Sequence, residues 1–516
     1  VVSITEPSYE KDGDVSDLWL ITVDGSEPPR RLTATKGGES GVDWAPDGSA
    51  IAFSAKRGEG DDAKAQIHVL PMDGPGEAVA ITDLSTGASN PKWSPDGTMI
   101  AFESSVWPDA DGDEANAERT EAEKDDGINV SRYEIFPIRS WNTWRSEKQT
   151  RLFVQAAEAR AEVRDQLFGT ELVRNPGYEG GLGAVWAPDG QALVITATEN
   201  LDEAAHAVVR YDLYRVPLEG GEPQPLTAGD FSATGAVFSP DGKHLYCTYA
   251  PINEHVYNHS EIARADWDGD AIDGELRVLT RDFDRSVSGF DLSADGGALY
   301  MNAHDRGRTR LFAMPSSGGA VRHLDEDSPG VYGSPQVAGD ALVTIWQSGV
   351  VPAEVVRVDP EDGARAALTD VNVERAAGLD RHEFRSFWFT SSKGREIHNW
   401  LVLPPDFDEN EQYPLVLFIH GGPFSSSLDA DHVRWSPHLL AAPGYVVLLT
   451  DYTGSVGYGA EFSRNIEGDP LKTPGEELVE AADVATERFS FIDPERQAAS
   501  GARSEERRVG KECATG

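Results

Sequence analysis

The sequence predicts an all-β propeller of seven blades followed by the first part of an α/β domain. Two observations carry this. A strand–turn–strand unit built on P-D-G recurs through the first two thirds of the 516 residues, and after about Asp370 strands begin to alternate with helical patterns.

The repeat reads VDWAPDGSAIAFSA at Val42–Ala55, PKWSPDGTMIAFES at Pro91–Ser104, AVWAPDGQALVITA at Ala184–Ala197 and AVFSPDGKHLYCTY at Ala236–Tyr249. Weaker copies are FDLSADGGALYMNA at Phe290–Ala303 and PQVAGDALVTIW at Pro335–Trp346. In each turn Pro presets the first dihedral, Asp bonds its own backbone two residues on, and Gly takes the positive φ. A further strand ending in a turn follows each copy, as in DLWLITVDG, QIHVLPMDG and DLYRVPLEGG, and there are seven such strands. Strand-only repeats of roughly 45–55 residues predict blades of four strands each. No W-x-P-D-G copy precedes the first of these strands, so the first blade is expected to lack its inner strand.

Trp93 and Trp186 stand 93 residues apart, nearly twice the usual spacing. The acidic stretch Pro108–Gly127 between them lacks apolar periodicity and is expected to be a solvated loop. It is followed by an Arg- and aromatic-rich segment containing Trp141 and Trp144, expected to pack a blade, with a lobe facing a cavity as the functional alternative.

The second region opens with the strands RSFWFTS and IHNWLVLPP. YPLVLFI and YVVLLT are continuously apolar, as strands buried on both faces of a mostly parallel sheet are. PGEELVEAADVATERF reads as a helix with Leu478, Ala481, Ala482 and Ala485 on one face. The expected boundaries are a propeller over 1–375, the α/β domain over 385–502 and a separate tail over 503–516.

The net charge is −43, from 88 Asp and Glu against 45 Lys and Arg. Acids spread along the whole chain resemble the surface of a salt-adapted protein and argue against a nucleic-acid-binding role, which needs positive patches. No apolar run reaches the length of a membrane span. Of two cysteines, Cys513 lies in the tail and Cys247 sits in an alternating strand, where a buried apolar role is expected. H-E-x-x-H, C-x-x-C and G-x-x-x-x-G-K-[ST] are absent, so neither a metal nor a nucleotide cofactor is expected.

His420-Gly421-Gly422-Pro423 directly follows the first buried strand. Two glycines there let backbone N–H groups face a ligand, the construction of an oxyanion hole for acyl transfer. D-x-x-G-S-x-G-Y-G follows at Asp451–Gly459, and F-I-D-P-E-R at Phe491–Arg496 leads into a strand ending at Gly501. With these motifs the chain resembles the prolyl oligopeptidase family of serine peptidases, in its acylaminoacyl-peptidase and dipeptidyl-peptidase-like branch. The resemblance implies that the α/β domain is an incomplete α/β-hydrolase domain. It also implies that Gly422 supplies one oxyanion N–H, and that the propeller caps a cleft admitting short peptides. The family pattern continues G-x-S-Y-G-G after the strand, so the nucleophile is expected where Arg503 stands, with Asp and His further on. The usual Arg of D-Y-R-G-S is replaced by Thr453.

No G-x-S-x-G occurs in these residues, and Arg503–Cys513 resembles a translated adapter sequence. A chain of this content is expected to lack the triad and to be inactive, while its parent is expected to be a serine exo- or oligopeptidase. An esterase on the same scaffold and a non-catalytic binding propeller of the TolB type are the alternatives. His420 is expected to anchor its loop and Ser455 to serve its turn. The oligomeric state stays open, as does the compartment, with the cytoplasm favoured.

If the acidic surface is an adaptation to salt, thermal melts of the intact protein shift upward from dilute buffer to molar KCl, as screening relieves the repulsion. An unchanged or lower melting temperature in salt removes that reading.

Overall fold

The computed structural model describes residues 1–9, 12–58, 63–74, 76–125, 130, 133, 138–140, 143–174, 180–204 and 206–501. The expected tail therefore lies outside the described residues, as does Trp141. Among the described residues, seven antiparallel sheets of three to five strands follow one another along the chain as the blades of a β-propeller, a two-stranded sheet lies within the third, and a five-stranded mixed sheet comes after them. The first blade has three strands, the next five have four, and the seventh has five. The last blade strand ends at Ala367, and the mixed sheet begins at Arg385.

The chain divides into two compact units. One holds Val1–Thr22, Glu27–Ile252 and Ala263–Arg277; the other holds Val23–Ser26, Asn253–Ile262 and everything from Val278 onward. In the first unit the P-D-G turns form as expected. The carboxylates of Asp47, Asp96, Asp189 and Asp241 each accept the N–H two residues on, at 2.9–3.1 Å. Gly48, Gly97, Gly190 and Gly242 take φ between +69° and +75°, which a side chain would resist. Residues before the turns tie neighbouring blades together. Asp43 accepts the Trp93 N–H at 2.8 Å, and the Trp186 indole donates to the Lys92 carbonyl at 3.0 Å. Cys247 is fully buried, and burial pushes its thiol up to about 12.

The expected solvated loop is largely a helix, α1 (Gly112–Asp125). Its sequence is rich in Glu and Ala, strong helix formers that need no apolar stripe. It is pinned by polar groups: Asn116 accepts the Trp107 N–H at 2.8 Å, and the Trp107 indole donates to Thr120 at 2.9 Å. The long gap is an insertion between the second and third strands of the third blade, Met99–Val106 and Gln149–Ala156. Trp144 is mostly exposed, tilted against Tyr133, and packs no blade.

In the second unit the mixed sheet comprises β1 (Arg385–Thr390), β2 (Glu396–Val402), β3 (Tyr413–Ile419), β4 (Val446–Asp451) and β5 (Ile492–Gly501). Their order is β1-β2-β4-β3-β5, with β3 parallel to both neighbours. Along β4, Val446 and Leu448 join one apolar cluster, and Val447 and Leu449 join another. This explains its unbroken apolar run: the strand has no solvent face. Helix α2 (Pro437–Ala441) covers one side. Helix α4 (Lys472–Arg488) covers the other through Leu478, Ala481, Ala482 and Ala485, the four residues its periodicity selected. A short helix, α3 (Ala460–Arg464), precedes it.

The loop after β3 is laced to the sixth and seventh blades by one buried carboxylate. Asp429 accepts the N–H groups of Gly330 and Gly349 at 2.9 and 3.0 Å and lies 3.4 Å from Arg308 Nε. Its own N–H donates to the Gly307 carbonyl at 2.9 Å. Asp429→Ala leaves two buried N–H donors without acceptors. It should cost about 2–4 kcal/mol, read as a lower urea midpoint with unchanged slope.

Candidate active site

Three parallel strands, β4, β3 and β5, end side by side, the place where open α/β sheets receive ligands. Leu417 pairs with Leu448 on one side and Ala499 on the other, and Ile419 pairs with Gly501. The last described residue of β5 therefore lies beside the residue that immediately precedes His420-Gly421-Gly422-Pro423. Arg503, the expected nucleophile position, lies outside the described residues.

Gly422 is exposed at φ +142°, and a Cβ there would stand 2.8 Å from the Phe424 nitrogen. Only glycine lets the loop turn this tightly. The N–H groups of Gly421 and Gly422 donate to no described residue. They are available to a developing negative charge. Pro423 follows through a cis peptide bond, and Phe424 stacks on Tyr257 with centroids 5.7 Å apart.

The loop is held by D-x-x-G-S-x-G-Y-G. The His420 ring lies flat on Tyr452, 4.5 Å between centroids. The Tyr452 hydroxyl donates to the His420 carbonyl at 2.7 Å. The Ser455 hydroxyl donates to the Tyr452 carbonyl at 2.7 Å, which leaves its oxygen to accept from His420 Nε2 at 3.0 Å. Ser455 and the His420 ring are thus committed to loop geometry.

Beneath them lies Asp451, 1 % exposed. It accepts the Ser427 N–H at 2.7 Å and the Tyr458 hydroxyl at 2.5 Å, with His420 Nε2 at 3.6 Å. Because Tyr458 donates to Asp451, its oxygen accepts from His398 Nδ1 at 2.8 Å. His398 Nε2 then accepts from Ser386 at 3.0 Å, a tautomer assigned from this network. Burial, then the Asp451 charge, raises the Tyr458 phenol well above its ordinary value, so it stays a donor.

Thr453, where the family pattern carries Arg, is met by fully buried Glu477 of α4. The carboxylate accepts both the Thr453 N–H and its hydroxyl at 2.8 Å. Arg395, from the turn between β1 and β2, donates to Thr453 Oγ1 at 3.2 Å and lies 3.8 Å from Glu477. A guanidinium thus comes from the neighbouring turn. Burial raises the Glu477 carboxyl above its usual range, against the opposing pull of its Thr453 hydrogen bonds.

The motif's later glycines admit the sixth blade. Gly457 accepts the Arg306 N–H at 3.1 Å, and a Cβ there would come within 3.2 Å of the His304 backbone. A Cβ on Gly459 would stand 2.5 Å from Asp284, which also accepts the Ala460 N–H at 2.8 Å. His304 Nδ1 lies 2.9 Å from Ser426 Oγ. Sequence reasoning did not single out Asp284, His304, His398 or Arg395, since none stands in a motif.

Among the described residues no helix is long and apolar enough to cross a membrane, and no His, Cys, Asp and Glu cluster could hold a metal.

Tyr458→Phe removes the partner of two buried groups, Asp451 and His398. It should cost about 1–3 kcal/mol in urea denaturation, and an additional His398→Phe change should recover part of the loss.

A profile of the prolyl oligopeptidase family matches residues 431–503. Over 404 residues the chain is 26% identical to dipeptidyl-peptidase 5 of Aspergillus fumigatus, covering 72% of this chain and 54% of that one. Over 318 residues it is 26% identical to dipeptidyl-peptidase 5 of Porphyromonas gingivalis, covering 61% and 46%. The chain thus spans about half the length of these relatives. In fold it is similar to the acylaminoacyl peptidase of Pyrococcus horikoshii, with a TM-score of 0.74 at 20% identity, over 97% of this chain and 71% of that one.

Proposed function

The chain belongs to the prolyl oligopeptidase family, and on that premise we propose serine-type hydrolysis of short peptides through an acyl-enzyme. The nucleophile is assigned to the turn that follows β5. The observation that carries this reading is the pairing of Ile419 with Gly501, which sets the end of β5 beside the start of the loop whose Gly421 and Gly422 N–H groups donate to no described residue. A serine presented there places the carbonyl oxygen of its substrate within reach of Gly422, and the N–H steadies the tetrahedral oxyanion. The names of the relatives indicate dipeptidyl and acyl-aminoacyl peptides as the substrates to try.

These 516 residues contain no G-x-S-x-G, and Arg503 stands where the family pattern puts the serine. Triad members act as a unit, so loss of the nucleophile removes most of the rate. A fluorophosphonate probe should therefore leave the 516-residue chain unlabelled. It should label stoichiometrically a chain that continues from Gly501 through G-x-S-Y-G-G into the rest of a homologous catalytic domain. Labelling of the 516-residue chain would place the nucleophile elsewhere and overturn this assignment.

In the active chain, Gly422→Ala should lower kcat by about 10²-fold with little change in KM, because a displaced oxyanion donor is felt in the transition state. Equal loss in both parameters would assign the loop to substrate binding instead.

A further inference from the structure

The second unit contains a cavity of about 460 Å³ that the peptidase reading does not use. Its lining includes Arg306, Arg308 and Arg310 from the sixth blade, and Trp388, His398 and Trp400 from β1 and β2. It lies across the His398–Tyr458–Asp451 chain from the His420–Pro423 loop.

Three guanidiniums converge here in a chain of net charge −43. Their local compensation is incomplete. Arg308 has Asp429 at 3.4 Å and lies over the Trp400 ring at 5.3 Å. Arg310 donates to the carbonyls of Asp325 and Ser328, and its nearest carboxylate, Asp305, is 3.7 Å away. The Arg306 side chain has no hydrogen bond or ion pair with a described residue. Glu396 is the one acid lining the cavity. Burial and the neighbouring Arg308 pull Arg310 below its ordinary value, against the opposing pull of Asp305, Asp325 and Glu326.

The backbone makes Arg306 more telling. Asp305 pairs with Arg308, and the two residues between them both have positive φ, +51° at Arg306 and +73° at Gly307. This is a type I′ hairpin, whose first central position favours Asn, Asp or Gly. Arginine there gives up turn stability, and such departures concentrate where a side chain has a function. Gly307 meets its own demand by packing, since a Cβ would come within 2.6 Å of His398 and Trp400.

We propose that this cavity binds a small oxyanion, a carboxylate or a phosphate, held by the Arg306, Arg308 and Arg310 guanidiniums with its body against Trp388. Guanidiniums match both oxyanions bidentately, and the indole faces suit a flat or apolar remainder. Its test reads no peptidase activity.

The test titrates the full 516-residue chain with inorganic phosphate and with benzoate by calorimetry, at constant ionic strength. Arg306→Asn removes the uncommitted charge and installs a residue the turn prefers, so it folds at least as stably. It should weaken binding fivefold or more without lowering the melting temperature. Glu396→Gln removes the opposing acid and should tighten binding severalfold. Saturable binding of benzoate alone assigns the site to carboxylates, and of phosphate alone to phosphates. Either supports the proposal when both variants respond. No saturable binding of either anion, or affinities unchanged by the two substitutions, overturns it.

Discussion

The geometry of the candidate site depends on one buried negative charge, the Asp451 carboxylate. A carboxylate removed from water is tolerated only when donors replace its hydration. Ser427 and Tyr458 supply those donors, and both are thereby fixed in position. Ser427 belongs to the segment after the His420–Pro423 loop, and Tyr458 to the glycine-rich loop after β4. One carboxylate at the end of β4 thus draws together the glycine-rich loop after β4 and the segment that follows Gly421 and Gly422. The demand is reciprocal: the buried Asp451 oxygens find their donors because the loops arrive, and the loops hold their shape because Asp451 needs them.

The sixth blade enters this arrangement largely through backbone, with the side chains of Asp284, His304 and Arg308 adding polar contacts. Gly307 presses flat on His398 and Trp400, while Gly457 presses on the His304 backbone. Each contact works because a side chain is missing on one side and a ring or peptide is present on the other. Asp429 adds three hydrogen bonds to the same blades' turns, counting the one from its own N–H. Hydrogen bonds to main chain restrict a loop without requiring a particular side chain from the partner. That explains why nothing in the blade sequence announces the contact.

What was legible in the sequence was local. Each P-D-G turn closes on its own atoms, so five residues suffice to predict it, as Asp47 to Ser49 and Asp189 to Gln191 show. The two-sided burial of β4 and the apolar face of α4 follow from periods of 2 and 3.6. The His-Gly-Gly-Pro loop was visible because its glycines are consecutive. Helix α1 was missed because its stability comes from propensity and two polar pins, which leave no apolar stripe to read. The guanidinium beside Thr453 was out of reach for another reason. Arg395 comes from 58 residues earlier in the chain, and no spacing rule links them. Long-range polar partners become visible only when the sheet order is known.

The same distinction bears on the acidity of the chain. Many of its acids cannot be surface adaptations, because they are already committed. Asp43 and Asp291 accept N–H groups from the next blade, at 2.8 Å in each case. The turn aspartates hold their loops, and Ser and backbone donors keep Asp47, Asp96, Asp241 and Asp295 below the usual carboxylate range. Asp429, Asp451 and Glu477 are buried. Salt screens exposed charges and scarcely touches buried, donor-saturated ones. A response to salt must therefore arise from the remaining exposed acids, such as those along α1. Converging arginines in an otherwise acidic molecule are the counterpart of this economy. Most cations lie against carboxylates or carbonyls, and where three meet around a cavity with one acid on its lining, the missing counter-charge is what a bound anion supplies.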